Sequence, residues 1–65
     1  MKRMKLDISE VKAGDRFVEA PELGSVTSVS VDTFGPEGNE YVKVWTTDQP
    51  MDRWGAPQQV EINRP

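Results

Sequence analysis

Apolar and polar residues alternate most regularly in the second half of the chain. Tyr41-Val42-Lys43-Val44-Trp45-Thr46 places Val42, Val44 and Thr46 on one face of a strand and Tyr41, Lys43 and Trp45 on the other. The valines make the better core face, so the two aromatics are expected to point outward. A second β-prone run lies between Ser25 and Asp32, but Val29 and Val31 share one parity and Val26 takes the other. A bulge or sharp bend near Thr27 and Ser28 would turn all three valines inward.

Glycine, proline and asparagine punctuate these runs at Gly24, Gly35-Pro36, Gly38-Asn39, Pro50 and Gly55-Ala56-Pro57. Thr33 to Glu40 reads as a hairpin loop, with Phe34 folding back from its near end to cap the core. Thr47 to Pro50 is a turn, and Met51 to Trp54 is either the return strand or one turn of 3₁₀ helix. Val60 and Ile62 supply a last short strand that can pair with the first. Toward the N-terminus, Leu6 and Ile8 alternate with Asp7 and Ser9 as a short edge strand or a lid. Ser9 then caps a single turn, Glu10-Val11-Lys12, which Gly14 closes with a positive φ. The pattern predicts an all-β domain: one small antiparallel barrel of about five short strands, with a one-turn helix near the N-terminus.

The chain has 65 residues and neither cysteine nor histidine. A single domain of this length buries only about 60% of the surface its unfolded chain exposes. Disulfides, thiolate zinc sites and imidazole ligands are all excluded, so packing or a partner must supply the stability. The basic start is followed by Leu6-Asp7-Ile8-Ser9-Glu10 rather than an apolar stretch, and no run reaches the eighteen or so apolar residues of a membrane span. A soluble, cytoplasmic protein is the expectation.

Charge is unevenly placed. The net charge is −3, yet three of the eight basic residues, Lys2, Arg3 and Lys5, fall in the first five positions. Residues 1–5 therefore read as a basic flexible arm and residues 6–65 as the domain, whose five basic and eleven acidic residues leave it at −6. An acidic body disfavours nucleic acid, although a basic arm can touch a phosphate backbone by itself.

No catalytic residue stands out. General acids and bases reduce to carboxylates scattered over loops, and a small barrel has little cleft in which to desolvate them, so a noncatalytic protein without a cofactor is expected. Asp32, Glu37, Asn39 and Glu40 offer oxygen ligands, but without the spacing of a calcium loop they read as a solvated hairpin tip. The most pointed feature is the aromatic group Tyr41, Trp45 and Trp54, with Asp48 and Asp52 nearby in sequence. Aromatics bordered by acids suit a larger protein that brings apolar bulk and positive charge. Against this, a domain so small can use a tryptophan as its main core mass.

Val11-Lys12-Ala13-Gly14-Asp15-Arg16-Phe17-Val18 resembles the entry segment of SH3-like small barrels, including the KOW type, and Glu19 to Gly24 has the length of their long first loop. Over Val11 to Ile62 the chain is similar to the SH3-like small β-barrel superfamily and looks like a short bacterial or bacteriophage protein. The resemblance implies a barrel that serves as a binding platform. The acidic-tyrosine strand and paired tryptophans of peptide-binding SH3 domains are missing, so no binding residue is carried over, and RNA-binding KOW barrels are basic where this body is acidic. An OB-fold is the structural alternative.

Three roles follow as expectations. The first is a protein-interaction module using Tyr41, Trp45, Trp54, Asp48 and Asp52. The second is a nucleic-acid accessory protein using Lys2, Arg3 and Lys5, aided by Lys12 and Lys43. The third is self-association through an uncovered strand edge or the aromatic face.

Overall fold

The alternation of Tyr41 to Thr46 builds the central strand of a sheet. In the computed structural model, which describes Lys2–Pro65, the strands are β1 (Lys2–Asp7), β2 (Arg16–Phe17), β3 (Val26–Phe34), β4 (Asn39–Thr46), β5 (Asp52–Ala56) and β6 (Gln59–Arg64). Single 3₁₀ turns occupy Ile8–Glu10 and Pro21–Leu23. β4 lies between β3 and β5, and its Val42, Val44 and Thr46 are buried while Tyr41, Lys43 and Trp45 take the opposite face. Met51 to Trp54 resolves toward strand, since β5 begins at Asp52.

The valine mismatch in β3 is settled by a bulge. Val26 pairs with Thr46 and Ser28 with Trp45, so Thr27 is the extra residue, and Val26, Val29 and Val31 end on one face. Their burial falls steeply along the strand: Val26 is 2% exposed and Val31 45%. The β3–β4 hairpin outruns the residues that cover it, and everything from Thr33 to Glu40 is exposed. Phe34 therefore does not cap the core as expected. It stays 54% exposed at the end of the hairpin.

β6 is the middle of the other sheet, with order β1-β6-β2. β1 pairs with it from Lys2↔Arg64 to Asp7↔Gln59, and β2 adds Arg16↔Asn63 and Phe17↔Ile62. Lys2, Arg3 and Lys5, expected in a flexible arm, instead belong to a paired strand. The cause is an alternation concealed by the charges: Met4 lies opposite Ile62 and Leu6 opposite Val60, and both pack on the core, whereas Lys2, Arg3 and Lys5 are exposed. Arg3 Nε donates to Glu61 Oε2 at 2.8 Å across the strand pair.

The closed five-stranded barrel is likewise corrected to two separate three-stranded antiparallel sheets. A strand has only two edges, and β1 and β2 occupy both edges of β6. β5 thus has no ladder position beside β6, and among the described residues no ladder joins β5 to β1. The sheets enclose Ile8, Val11, Phe17, Leu23, Val26, Val42, Val44, Val60 and Ile62. Among the described residues no helix is long and apolar enough to cross a membrane.

The one-turn helix is present, displaced from its expected start. Asp7, not Ser9, caps it: its carboxylate accepts the Ser9 N–H at 3.0 Å and the Gln58 N–H at 2.7 Å. The hydrogen bond from the Ser9 hydroxyl, followed by these backbone donors, holds the Asp7 carboxyl below its ordinary range. The turn then drives Ile8 fully into the core. Gly14 adopts the positive φ expected of it, +97°.

Beyond Gly14 the chain meets the one fully buried charge among the described residues. Asp15 is 1% exposed and receives a two-pronged contact from Arg64, Nε to Oδ1 at 2.9 Å and Nη2 to Oδ2 at 2.8 Å. The Lys12 N–H donates to Oδ2 at 2.9 Å. The Asp15 carbonyl accepts from Val26 N–H at 2.8 Å, and Gly14 N–H returns a bond to Val26 O at 2.8 Å. One residue thereby joins the start of β3 to the end of β6. The Arg64 hydrogen bonds outweigh burial and hold the Asp15 carboxyl below the usual carboxylate range.

Breaking the pair leaves a buried charge unpaired. Arg64→Ala is expected to destabilise by about 3 kcal/mol, at the low end for buried pairs because Arg64 itself is 30% exposed, as read from the urea midpoint. Because Asp15 has a lower pKa folded than unfolded, its contribution is complete above about pH 4 and drains away as the pH falls toward the folded value. Acid titration of the wild type should show this loss, and Asp15→Asn should reduce it, leaving the part that Asp7 contributes.

Candidate functional site

The outer face of the β3–β4–β5 sheet is a ladder of cross-strand rows. Asp32, Tyr41 and Gly55 form one row, Ser30, Lys43 and Arg53 the next, and Ser28 with Trp45 a third. Phe34 extends the first row by leaning on Tyr41, with ring centroids 5.6 Å apart and planes at 58°. Lys43 Nζ stands 5.8 Å and Arg53 Cζ 5.6 Å from the Tyr41 centroid, and Lys43 also reaches Asp32 Oδ2 at 3.6 Å. A shallow hollow lies between Phe34, Tyr41 and Arg53. Gly55, opposite Tyr41, adds no side chain, and a Cβ there would meet nothing within 4 Å.

The five residues expected to form one aromatic and acidic face are divided by the structure. Tyr41 and Trp45 do lie on the outer face, each half-buried. Trp54 does not join them. It lies opposite Val42, and directly opposed residues share a face, so its ring turns inward and stacks on Phe17 at 5.1 Å and 16°. Asp52 lies opposite Val44 and shares that inner parity, exposed at the start of β5. Asp48 lies in the loop after β4, where its N–H donates to Leu23 O at 3.1 Å against the second 3₁₀ turn. The charges that border Tyr41 are therefore mainly the cations Lys43 and Arg53, with Asp32 as the acid.

The parity of Trp54 was hidden because Gly55 and the short β5 give no alternation to read. Two residues outside the expected site complete the outer face: Phe34, expected to cap the core, and Arg53, of which no role was expected.

On the inner side, Trp54 and Phe17 wall a cleft of about 280 Å³ whose other lining includes Lys5, Glu61 and Gln58. The indole Nε1 of Trp54 is buried and makes no hydrogen bond. The basic residues do not gather: Lys2, Arg3 and Lys5 lie on β1, Lys12 follows the first turn, and Lys43 is on the other sheet. Among the described residues no three carboxylates converge in an arrangement able to hold a metal ion. Compared with protein-family models, curated proteins and solved structures, the chain matches none.

The Trp54 environment can be tested directly. Trp54→Phe keeps a ring on Phe17 and removes the unpaired N–H, so its cost should stay within about 1.5 kcal/mol. Trp54→Ala should cost about 3 kcal/mol or more. Urea unfolding of both variants checks the difference, and equal losses would show that the stack contributes nothing.

Proposed function

We propose that the protein is a noncatalytic interaction module that binds a larger protein through the outer face of β3–β4–β5. The observation that carries this reading is Phe34, 54% exposed yet held against Tyr41 on a hairpin that projects beyond the core. Trp45 extends the apolar surface along β4. Rigid aromatic anchors on a strand give contact area at little entropic cost, which favours such residues in interfaces.

The chemistry of the partner follows from the border. Lys43 and Arg53 already occupy the approach to the Tyr41 ring, so a cationic partner would meet repulsion there. The better fit is an apolar side chain flanked by a carboxylate, the apolar part in the hollow beside Phe34 and Tyr41 and the carboxylate between Lys43 and Arg53. The cysteine-free chain supports a cytoplasmic setting. The Gly14-Asp15 turn and the long connection to β3 support kinship with SH3-like small barrels, here with the barrel left open.

Affinity capture from a native lysate tests the reading. Phe34→Ala and Trp45→Ala, each with wild-type circular dichroism, should both lose the captured protein, and Arg53→Glu should weaken capture at low salt. Undiminished capture by both alanine variants would remove the face from consideration. Capture of nucleic acid that vanishes at high salt would favour the basic residues of β1 instead.

A further inference from the structure

The edges of the two sheets are protected unequally. The edge strand β1 carries Lys2, Arg3 and Lys5, and the edge strand β5 begins with Asp52-Arg53 and is followed by Pro57. Charges and prolines of this kind discourage further strand pairing. β3, the remaining edge of its sheet, has neither lysine nor proline and is rich in β-branched residues. At its start Val26 is engaged with Gly14 and Asp15, and Ser25 forms a bridge with Arg16. After the bulge, Ser28 to Phe34 pairs only with β4, and its other edge is uncovered.

We propose that this segment is a homodimerisation edge on which a second copy of the chain pairs antiparallel. A seven-residue segment pairs along its full length with its own copy only about its midpoint, Val31. In that register Val31 meets the Val31 of the second copy and Val29 meets Thr33, all on the inner face. Ser30 meets Asp32 and Ser28 meets Phe34, all on the outer face. Every pair is compatible: β-branched residues oppose one another, and the Asp32 carboxylate faces a hydroxyl instead of its own copy. A slip of one residue would set inner side chains against outer ones, and a shift of the centre to Asp32 would oppose two carboxylates.

The pairing also accounts for Val31, an apolar residue left 45% exposed on the face where its neighbours in β4 are buried. The product is a six-stranded sheet with the two outer faces continuous across the dyad, where Phe34 of one copy lies beside the row of Ser28 and Trp45 of the other. An interface of one strand pair is small, so association is weak and concentration-dependent. It does not depend on the outer face binding a partner.

Sedimentation equilibrium of the full chain across micromolar to millimolar concentrations tests the idea. The wild type should move from monomer to dimer, and Val31→Lys, which opposes two cations at the dyad without touching the outer face, should raise the dissociation constant about tenfold or more. Because Val31 is exposed, that variant should keep its circular dichroism and urea midpoint. In a chain that has no cysteine, a short thiol-reactive crosslinker should join Val31→Cys to itself and Val29→Cys to Thr33→Cys in a mixture. A monomer at every concentration, a dimer indifferent to Val31→Lys, or crosslinking without positional preference would overturn the proposal.

Discussion

The structure depends on one buried carboxylate. Asp15 immediately precedes the second strand, is shut off from water, and is neutralised by an arginine from the far end of the chain. Its backbone, together with that of Gly14, holds the first residue of β3. A buried ion pair is a poor net source of stability compared with apolar packing of the same volume. Its importance here lies in what it forbids, because any arrangement that separates β6 from the start of β3 must leave a charge unpaired in the core. In a chain that lacks disulfides, this corner does the work of a crosslink between the sheets.

The division of the molecule follows from that join. One sheet is built around β6, has both of its central edges filled and carries the two-residue β2. The other is joined to it mainly at the start of β3 and runs past it as a long hairpin. Residues near the corner are buried, whereas those toward the hairpin tip are progressively bare, as the fall in burial from Val26 to Val31 records. Exposed aromatic and edge surface thus accumulates at the end away from the ion pair, where Phe34 leans on Tyr41 and the β3 edge is uncovered. A buried corner and an exposed hairpin lie at opposite ends of the same long sheet.

Much of this was legible in the sequence where a local rule acts alone. The alternation of Tyr41 to Thr46 gave the faces of β4, the parity conflict among three valines called for a bulge or bend near Thr27 and Ser28, which the register places at Thr27, and Gly14 announced its left-handed turn. Relations between distant residues were not legible. Nothing near Asp15 points to Arg64, which lies 49 residues away, and the pair emerges only once β6 is in place. β1 was obscured because its lysines and arginine resemble a solvated arm, although Met4 and Leu6 alternate beneath them. Trp54 and Tyr41 are both aromatic and strand-borne, and only the register of β5 against β4 sends one inward and the other outward. Barrel closure failed for a similar reason, since it depends on which strands claim the edges of β6.

Residue-resolved amide hydrogen exchange tests most directly whether the Asp15 corner holds the two sheets together. The amides of Lys12, Gly14 and Val26, which bond to or around Asp15, should exchange only through global unfolding, with the same protection as the buried residues of β4, Val42 and Val44. In Arg64→Ala, protection across both sheets should fall together. Rapid local exchange at Lys12, Gly14 and Val26 while β4 remains fully protected would contradict the account, because the sheets would then hold together without that corner.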